Sequence, residues 1–340
     1  MKSMKILLKK IIYKFFNYPI DFFFFFKDLF FFKLFKKNSY RSYNMMLRFF
    51  FITGGFSNNI INFFVSKKIK KKKMTFGIFS KFSENEISSY KKNLENNGYL
   101  ILENILSSEE VKILVEDFVK LEGYYISDNH KKKKIINLNN PDSAMFYYDS
   151  NDIINNTNFQ KILFDTSIIN FSQLYLNSYP VIDNVSAWWS FPSAQPDKNA
   201  AQWWHFDLDR PKWLKFFFFL TDCSIENGAH SFVRGSHKNN GIPWSLRKKG
   251  YERLNDNDVE KNFPKKDIID IVATKGSLLI EDTRGLHKGR HLIKNNRFLI
   301  QVQYSSTLFG GAVKNFVTPK LNNHMKEVIN EYEYTYSLFK

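Results

Sequence analysis

The stretch "WWHFDLD", residues 203–209, places a histidine and an aspartate two positions apart inside an aromatic run. Successive side chains on a β-strand point to opposite faces, so His205 and Asp207 share one face of a predicted strand. Two interpretations fit this pattern: a satisfied polar pair at the end of a strand, or two of the ligands of a metal site. The rest of the sequence has to decide between them.

A second histidine-containing stretch supplies a third candidate ligand. In "EDTRGLHKGRHLIKNNRFLIQVQYS", residues 281–305, His287 lies in a strand-like run. The turn residues "KNN" follow, and an antiparallel return is expected to bring Arg297 to the level of His287 on a neighbouring strand. Two imidazoles and one carboxylate are the ligand set of non-haem iron(II) centres. The planar guanidinium of Arg297 suits bidentate binding of a carboxylate at the far end of a cosubstrate that is bound to the metal. The alternatives are a core histidine at 287 and a surface arginine at 297.

Capping signals outline two helices that precede this region. Ser83 and Glu86 have the spacing of a capping box, and so do Ser107 and Glu110. Each pair predicts the first turn of a helix. Between these two helices, the apolar run "YLILENIL" predicts a short buried strand that starts at residue 99.

Short β-rich runs then follow one another between residues 181 and 305, separated by glycine, asparagine and proline turns. This arrangement is typical of a β-sandwich or jelly roll and not of alternating βαβ units. Further helices are expected over residues 159–176 and from Pro319 onward. The polar segment 238–267 is too long for a hairpin loop and is a candidate lid. The sequence therefore predicts a mainly β protein with flanking helices.

The positive charge of the chain is concentrated in its N-terminal part. Of a net charge of +17, residues 1–73 carry +15, because 17 lysines and arginines face two aspartates. The remainder is nearly neutral, which argues against nucleic-acid binding, since contact with many phosphates requires many cations. We therefore expect an N-terminal extension over residues 1–73 and a globular domain over residues 74–340.

The N-terminal extension is rich in phenylalanine, as in "DFFFFFKDLFFFKLFKK", residues 21–37. Charged residues interrupt every long apolar run, so neither a membrane-spanning helix nor a secretory signal peptide is expected. Three interpretations stay open. The extension is a basic amphipathic segment on an anionic membrane surface, an ordinary helical extension, or an artefact of a true start at Met74. The single cysteine, Cys223, is expected in the core and fits a cytoplasmic protein, at the inner face of the membrane under the first interpretation.

Several of these motifs together resemble one family. The segment "WWHFDLDRPKWLKFFFFLTDCSIENGAHSFVRGSHK", residues 203–238, resembles the phytanoyl-CoA dioxygenase family of iron(II)/2-oxoglutarate oxygenases. The stretches "GSLLIEDTRGLHKGRH" and "NNRFLIQVQYS" resemble later strands of that family. The stretch "NGYLILENILSSEEV", residues 97–111, resembles its entry strand and first helix. The resemblance covers residues 84–310, with the motifs in the family's order and approximate spacing.

The resemblance implies a double-stranded β-helix core of the jelly-roll or cupin-like type. It carries His205, Asp207 and His287 over as iron ligands. It also carries Arg297 over as the anchor of the 2-oxoglutarate carboxylate. One departure is Gly289: many members have a serine there that helps to hold 2-oxoglutarate, so the second anchor is left open.

The implied activity is that of a dioxygenase that uses Fe(II), 2-oxoglutarate and O2 and releases succinate and CO2. Related halogenases lack the carboxylate ligand, so the presence of Asp207 favours hydroxylation. The substrate is expected to be a small molecule or a lipid- or sugar-linked compound. Its identity does not follow from the motifs, because one fold and metal site serve many substrates.

Polar side chains beside these motifs have two interpretations each. Arg284 and Thr283 either hold a polar group of the substrate or brace their strand with Asp282. His291 either lines the substrate side or lies at the surface. The candidate substrate-binding residues are Arg284, Trp203, His291 and Trp244, the last of which lies in the candidate lid.

The remaining histidines and tryptophans favour structural roles. His237 is expected to brace the "NGAHSFVRGSH" turn by hydrogen bonding, and His230 is a weaker candidate ligand. Alternation along a strand lets about half of an aromatic cluster face a pocket, so the rest fills the core. This cluster comprises Trp188, Trp189, Trp203 and Trp204.

The alternative function is a catalytically inactive jelly-roll binding module, associated with a membrane through residues 1–73. The intact set of His205, Asp207, His287 and Arg297 argues against it. The expected partner is a small-molecule substrate, and the sequence predicts no particular oligomeric state.

Overall fold

Two β-sheets form the centre of the protein, whose computed structural model describes residues 22–68, 77–126, 132–193, 195 and 201–340. The strands are β1 (Tyr99–Leu102), β2 (Glu122–Tyr125), β3 (Lys134–Ile135), β4 (Met145–Tyr148), β5 (Val181–Ser190), β6 (Trp213–Phe219), β7 (His230–Val233), β8 (Ile268–Ile271), β9 (Leu278–Glu281), β10 (His287–Gly289) and β11 (Arg297–Ser305). The larger sheet has the order β1-β9-β6-β11-β5-β4-β2-β3, and the smaller one has the order β10-β7-β8. All their neighbouring strands are antiparallel. This confirms the predicted mainly β fold with a jelly-roll core, built from two open sheets.

Helices surround the sheets. They are α1 (22–35), α2 (Tyr40–Thr53), α3 (Phe56–Val65), α4 (Glu84–Asn97), α5 (Ser108–Val119), α6 (Ser150–Asn155), α7 (Thr157–Leu163), α8 (Thr166–Leu176), α9 (Trp244–Arg247), α10 (Asp256–Glu260) and α11 (Asn323–Glu331). Both predicted capping boxes are confirmed, at the starts of α4 and α5. The helix expected near the C-terminus is α11.

One predicted helix is in fact two. The single helix expected over residues 159–176 is interrupted between α7 and α8. The carboxylate of Asp165 accepts hydrogen bonds from the backbone N–H groups of Ser167 and Ile168, at 2.8 and 3.1 Å. Such a side chain is a typical N-cap, so Asp165 begins a new helix where the apolar pattern alone suggested continuity.

The two sheets face each other across an apolar layer. Phe217 of β6 and Leu299 of β11 lie in one buried cluster with Phe232 of β7 and Ile271 of β8. Side chains alternate along a strand, so the neighbours Phe216 and Phe218 point to the opposite face of the larger sheet.

The opposite face of the larger sheet forms the main core with the helices. Phe216 and Phe218 belong to the same buried cluster as Phe118 of α5 and Phe171 of α8. This helical layer fixes the larger sheet from behind. The other face of the larger sheet is turned towards the smaller sheet.

The N-terminal helices α2 and α3 pack onto this β core. The ring of Phe50 stacks on that of Phe206 with centroids 5.8 Å apart. A guanidinium nitrogen of Arg247 donates to the backbone carbonyl of Phe51 at 2.8 Å. The described part of the extension is therefore in contact with the segment that carries the His-x-Asp motif.

Part of the predicted extension lies outside the described residues, namely residues 1–21 and 69–73. Met74, the alternative start, also lies outside them. Within those ranges, no helix is both long enough and apolar enough to cross a bilayer.

Candidate metal centre

His205 and His287 are joined through their backbones. Each donates its N–H to the carbonyl of the other, at 2.9 and 2.8 Å, in an isolated antiparallel bridge. Their ring centroids lie 4.2 Å apart. The two histidines are therefore set side by side by main-chain hydrogen bonds and not only by side-chain packing.

The His-x-Asp segment itself is not the regular strand that the alternation predicted. Trp204 forms an isolated bridge with Leu254, whereas the N–H of Asp207 donates to the carbonyl of Thr283 at 2.8 Å. Because successive residues pair with different parts of the chain, no continuous ladder forms. His205 and Asp207 nevertheless lie together, as predicted.

Three side chains converge in this region. Ligand atoms of His205, Asp207 and His287 all lie within 4.8 Å of one another. The distance from Nε2 of His287 to Oδ2 of Asp207 is 3.7 Å. Asp207 and His287 are buried, and His205 is half-buried.

The hydrogen bonds of the two histidines leave their Nε2 atoms free of a proton. Nδ1 of His205 lies 2.8 Å from the carbonyl of Trp203, and Nδ1 of His287 lies 2.9 Å from that of Gly285. A carbonyl only accepts, so each Nδ1 carries the proton and each Nε2 presents a lone pair. Burial lowers the pKa of His205 to about 4 and that of His287 to about 3. Both imidazoles are thus neutral near pH 7.

The carboxylate of Asp207 is held in its charged form by the largely shielded side chain of Lys215. Burial alone would raise the pKa of Asp207, but Lys215 and the two histidines more than offset it and hold that pKa below its usual range. The Lys215 ammonium donates to Oδ2 over 2.6 Å. Oδ1 receives no hydrogen bond from the described residues. Two neutral imidazole nitrogens and one anionic carboxylate are a donor set that fits a divalent iron ion.

Arg297 lies between the sheets, although not where the sequence placed it. It begins β11, which pairs with β5 and β6 in the larger sheet, whereas His287 begins β10 in the smaller sheet. The prediction that Arg297 lies on the strand next to His287 is therefore wrong. The arginine reaches the smaller sheet from the opposite side: an ideal Cβ built on Gly289 would lie 3.5 Å from its Nη2 atom.

The guanidinium of Arg297 is buried without an anionic partner among the described residues. Its Nη1 donates to the carbonyl of Gly228 and its Nη2 to the hydroxyl of Ser190. Its Nε is buried and has no hydrogen-bond partner there. An uncompensated buried cation is unfavourable, and burial lowers the pKa of Arg297 accordingly. A carboxylate ligand is the group that such a site fits.

The sequence profile of the phytanoyl-CoA dioxygenase (PhyH) family matches residues 94–291, more than half of the chain. The matched region contains all three residues of the cluster and ends shortly before Arg297. The chain belongs to the phytanoyl-CoA dioxygenase family. It is accordingly a dioxygenase-type enzyme with Fe(II) and 2-oxoglutarate as its cofactors. No curated protein matches the chain.

Two solved structures show what the fold is similar to. HygX from Streptomyces hygroscopicus, with nickel and 2-oxoglutarate bound, is 17% identical with a TM-score of 0.49, over 68% of this chain and 91% of HygX. The non-heme alpha ketoglutarate dependent epimerase SnoN from nogalamycin biosynthesis is 13% identical with a TM-score of 0.43, over 65% of this chain and 83% of SnoN.

The four candidate substrate residues have different surroundings in this PhyH-family chain. Arg284 is buried against the carboxylate of Asp282, with N–O distances of 2.8 and 2.6 Å. This contact agrees with the interpretation that Arg284 braces its strand with Asp282. His291 donates to the backbone carbonyl of Ser193 at 2.5 Å.

The two tryptophans differ from one another as well. Trp244 begins α9 and is exposed. Trp203 is half-buried, and its carbonyl orients His205. The candidate lid that contains Trp244 contacts the site at Leu254, which forms an isolated antiparallel bridge with Trp204.

The other singled-out side chains are structural. His237 donates to the carbonyl of Glu95 at 3.2 Å, which confirms the predicted bracing role. His230 lies outside the metal-ligand cluster and within 3.0 Å of a carboxylate oxygen of Glu281. Cys223 is buried in the apolar layer between the sheets, as predicted, and burial raises the pKa of its thiol.

Two polar residues at the site were missed by the sequence interpretation. Lys215 is the only charged residue within the apolar run of β6, and such an isolated charge is a usable signal. Ser190 carries no local signal, because it meets Arg297 only through the pairing of β5 with β11.

Proposed function

We propose that the protein is a hydroxylase in which His205, Asp207 and His287 hold Fe(II). The observation that carries this proposal is the convergence of two neutral imidazole nitrogens and one anionic carboxylate within 4.8 Å. When bound, Fe(II) and 2-oxoglutarate supply the activation of O2, coupled to decarboxylation of 2-oxoglutarate to succinate and CO2. The substrate we propose is a small molecule.

The residues around the cluster prepare it for this chemistry. The backbone carbonyls of Trp203 and Gly285 fix the tautomers of the two histidines, so no proton has to leave before a cation binds. Lys215 keeps the carboxylate of Asp207 charged and holds it by Oδ2.

We assign Arg297 as the anchor of the distal carboxylate of 2-oxoglutarate. Its buried guanidinium has free donor capacity at Nε, and it lacks a counter-charge among the described residues. The apolar layer beside it, which includes Phe217 and Leu299, excludes water from the carboxylate and strengthens the charge pairing.

The direct test is formation of succinate from 2-oxoglutarate by anaerobically purified protein to which Fe(II) and then O2 are added. The proposal predicts iron-dependent succinate even without the substrate, and its loss in Asp207→Ala. Absence of both succinate formation and stoichiometric iron would overturn the proposal and favour the binding module.

We also propose that the N-terminal helices contact an anionic membrane surface. The observation is an exposed, mainly aromatic surface on α1, which buries Phe25, Leu29 and Phe32 but exposes seven other apolar side chains. Its exposed members are Phe22, Phe23, Phe26, Phe30, Phe31, Leu34 and Phe35. Lysines interrupt this surface, and the whole extension is strongly basic. Aromatic side chains beside lysines favour a helix lying in the interface of an anionic bilayer.

Sedimentation with vesicles tests this contact. We expect the full chain to sediment with vesicles that contain phosphatidylserine, less with neutral phosphatidylcholine, and less again at high salt. Replacing the exposed Phe23 and Phe30 by serine should weaken binding without affecting the fold. Equal binding by the variant and by wild type would contradict the contact.

A further inference from the structure

We propose that Ser190 is the second anchor of the 2-oxoglutarate distal carboxylate and takes the place of the hydroxyl that is absent at Gly289. This inference rests on the proposed function. Ser190 ends β5, and its register partner across the β5–β11 pair is Arg297. Its hydroxyl oxygen lies 3.2 Å from Nη2 of the arginine.

The burial and the hydrogen bonding of the Ser190 hydroxyl leave it able to bind a ligand. Ser190 shares a strand face with Trp188, which packs against the apolar layer between the sheets, so its hydroxyl points into that layer. The residue is fully buried. Its oxygen accepts from Arg297, and its own proton has no acceptor among the described residues. A buried hydroxyl that lacks an acceptor is available to donate to a carboxylate.

Gly289 explains why the hydroxyl comes from a different strand. A Cβ at this position would meet Nη2 of Arg297 at 3.5 Å and the carbonyl oxygen of Ala201 at 4.0 Å, both ordinary contacts. A side chain at 289 and the hydroxyl of Ser190 would thus approach the same guanidinium nitrogen. A serine at position 289 would supply this hydroxyl from the smaller sheet, whereas Ser190 supplies it from the larger sheet.

This relationship predicts a rescue. Ser190→Ala is expected to raise the Kd for 2-oxoglutarate at least about tenfold, because it removes a hydrogen bond to a charged group. Adding Gly289→Ser to Ser190→Ala should restore most of the affinity, since a serine fits at 289. Fe(II) binding should be the same in all three proteins, because neither position is among the proposed metal ligands.

The experiment is anaerobic calorimetric titration of the Fe(II)-loaded proteins with 2-oxoglutarate and, separately, with 2-oxobutyrate. The second compound lacks the distal carboxylate, so its weaker affinity should not change in Ser190→Ala. If wild type binds Fe(II) and 2-oxoglutarate but Ser190→Ala binds 2-oxoglutarate equally tightly, the inference is wrong and the proposed function stands. A lower affinity of Ser190→Ala for both compounds, or no rescue by Gly289→Ser, also overturns it. If wild type binds neither Fe(II) nor 2-oxoglutarate, the proposed function itself fails.

Discussion

The ammonium group of Lys215 lies 2.6 Å from Oδ2 of Asp207, and both side chains are largely shielded from water. Burial disfavours either charge alone, yet the pKa of Lys215 is raised and that of Asp207 is lowered, because each stabilises the other. The pair therefore keeps one anionic ligand charged in a site with two neutral histidines.

Removing the lysine is expected to leave a buried, unpaired carboxylate. We predict that Lys215→Met lowers the free energy of unfolding of the metal-free protein by about 3 kcal/mol. Added Fe(II) should recover part of the loss, because a bound cation again compensates Asp207. Urea unfolding with and without Fe(II) under anaerobic conditions measures both effects.

The matched control for this prediction is the double variant Lys215→Met with Asp207→Asn. It removes both charges, so we expect it to be more stable than Lys215→Met alone when no metal is present. Equal stability of the single and double variants would show that the two charges are not coupled.

The N-terminal extension is expected to contribute to the stability of the domain. Phe50 is buried and stacks on Phe206, next to the proposed metal ligands. Phe50→Ala should therefore cost about 3 kcal/mol, as for other buried phenylalanines. Phe63 is 62% exposed, so Phe63→Ala is the matched control and should change stability by less than about 0.5 kcal/mol. Similar losses in the two variants by urea unfolding would contradict this packing role.

A pH dependence follows from His237. Burial lowers its pKa from 6.5 to about 4, with a partly opposing effect of Asp282 and a reinforcing one of Arg284. Between these pH values the unfolded chain binds a proton that the folded protein excludes. The free energy of unfolding is therefore unaffected by the titration of His237 above pH 6.5. It falls as the pH is lowered towards 4, by about 3 kcal/mol in total.

The variant His237→Gln isolates this contribution. Between pH 7 and 4, the unfolding free energy of wild type should fall by about 3 kcal/mol more than that of the variant. His205 and His287, whose pKa values are also lowered by burial, act in the same direction and cancel in the comparison. Parallel pH profiles for the two proteins would show that folding does not lower the pKa of His237, which contradicts this account.

Local patterns predicted much of this fold. The capping boxes at Ser83 and Ser107, the β-rich runs and the convergence of the two histidines with Asp207 are all found. Each depends on short-range periodicity or on a motif whose residues act together. The helix break at Asp165 is also local, since an aspartate before "TS" is a capping signal that the apolar pattern obscured.

Long-range pairing could not be derived from the same patterns. The position of Arg297 depends on the order of strands in two sheets, and an antiparallel turn after His287 suggested the wrong neighbour. The contact between Arg297 and Ser190 joins residues 107 positions apart. Which residues face one another at that distance follows from sheet order and register, which a single sequence does not specify.

The most direct test of the central claim is equilibrium binding of Fe(II) to the purified chain under anaerobic conditions. We predict one Fe(II) per wild-type chain, with tight binding lost in His287→Ala and in Asp207→Asn. The matched control His237→Gln, whose histidine is buried outside the cluster, should retain the ion. Failure of the wild type to bind Fe(II), or equal binding by all four proteins, would contradict the assignment of this site.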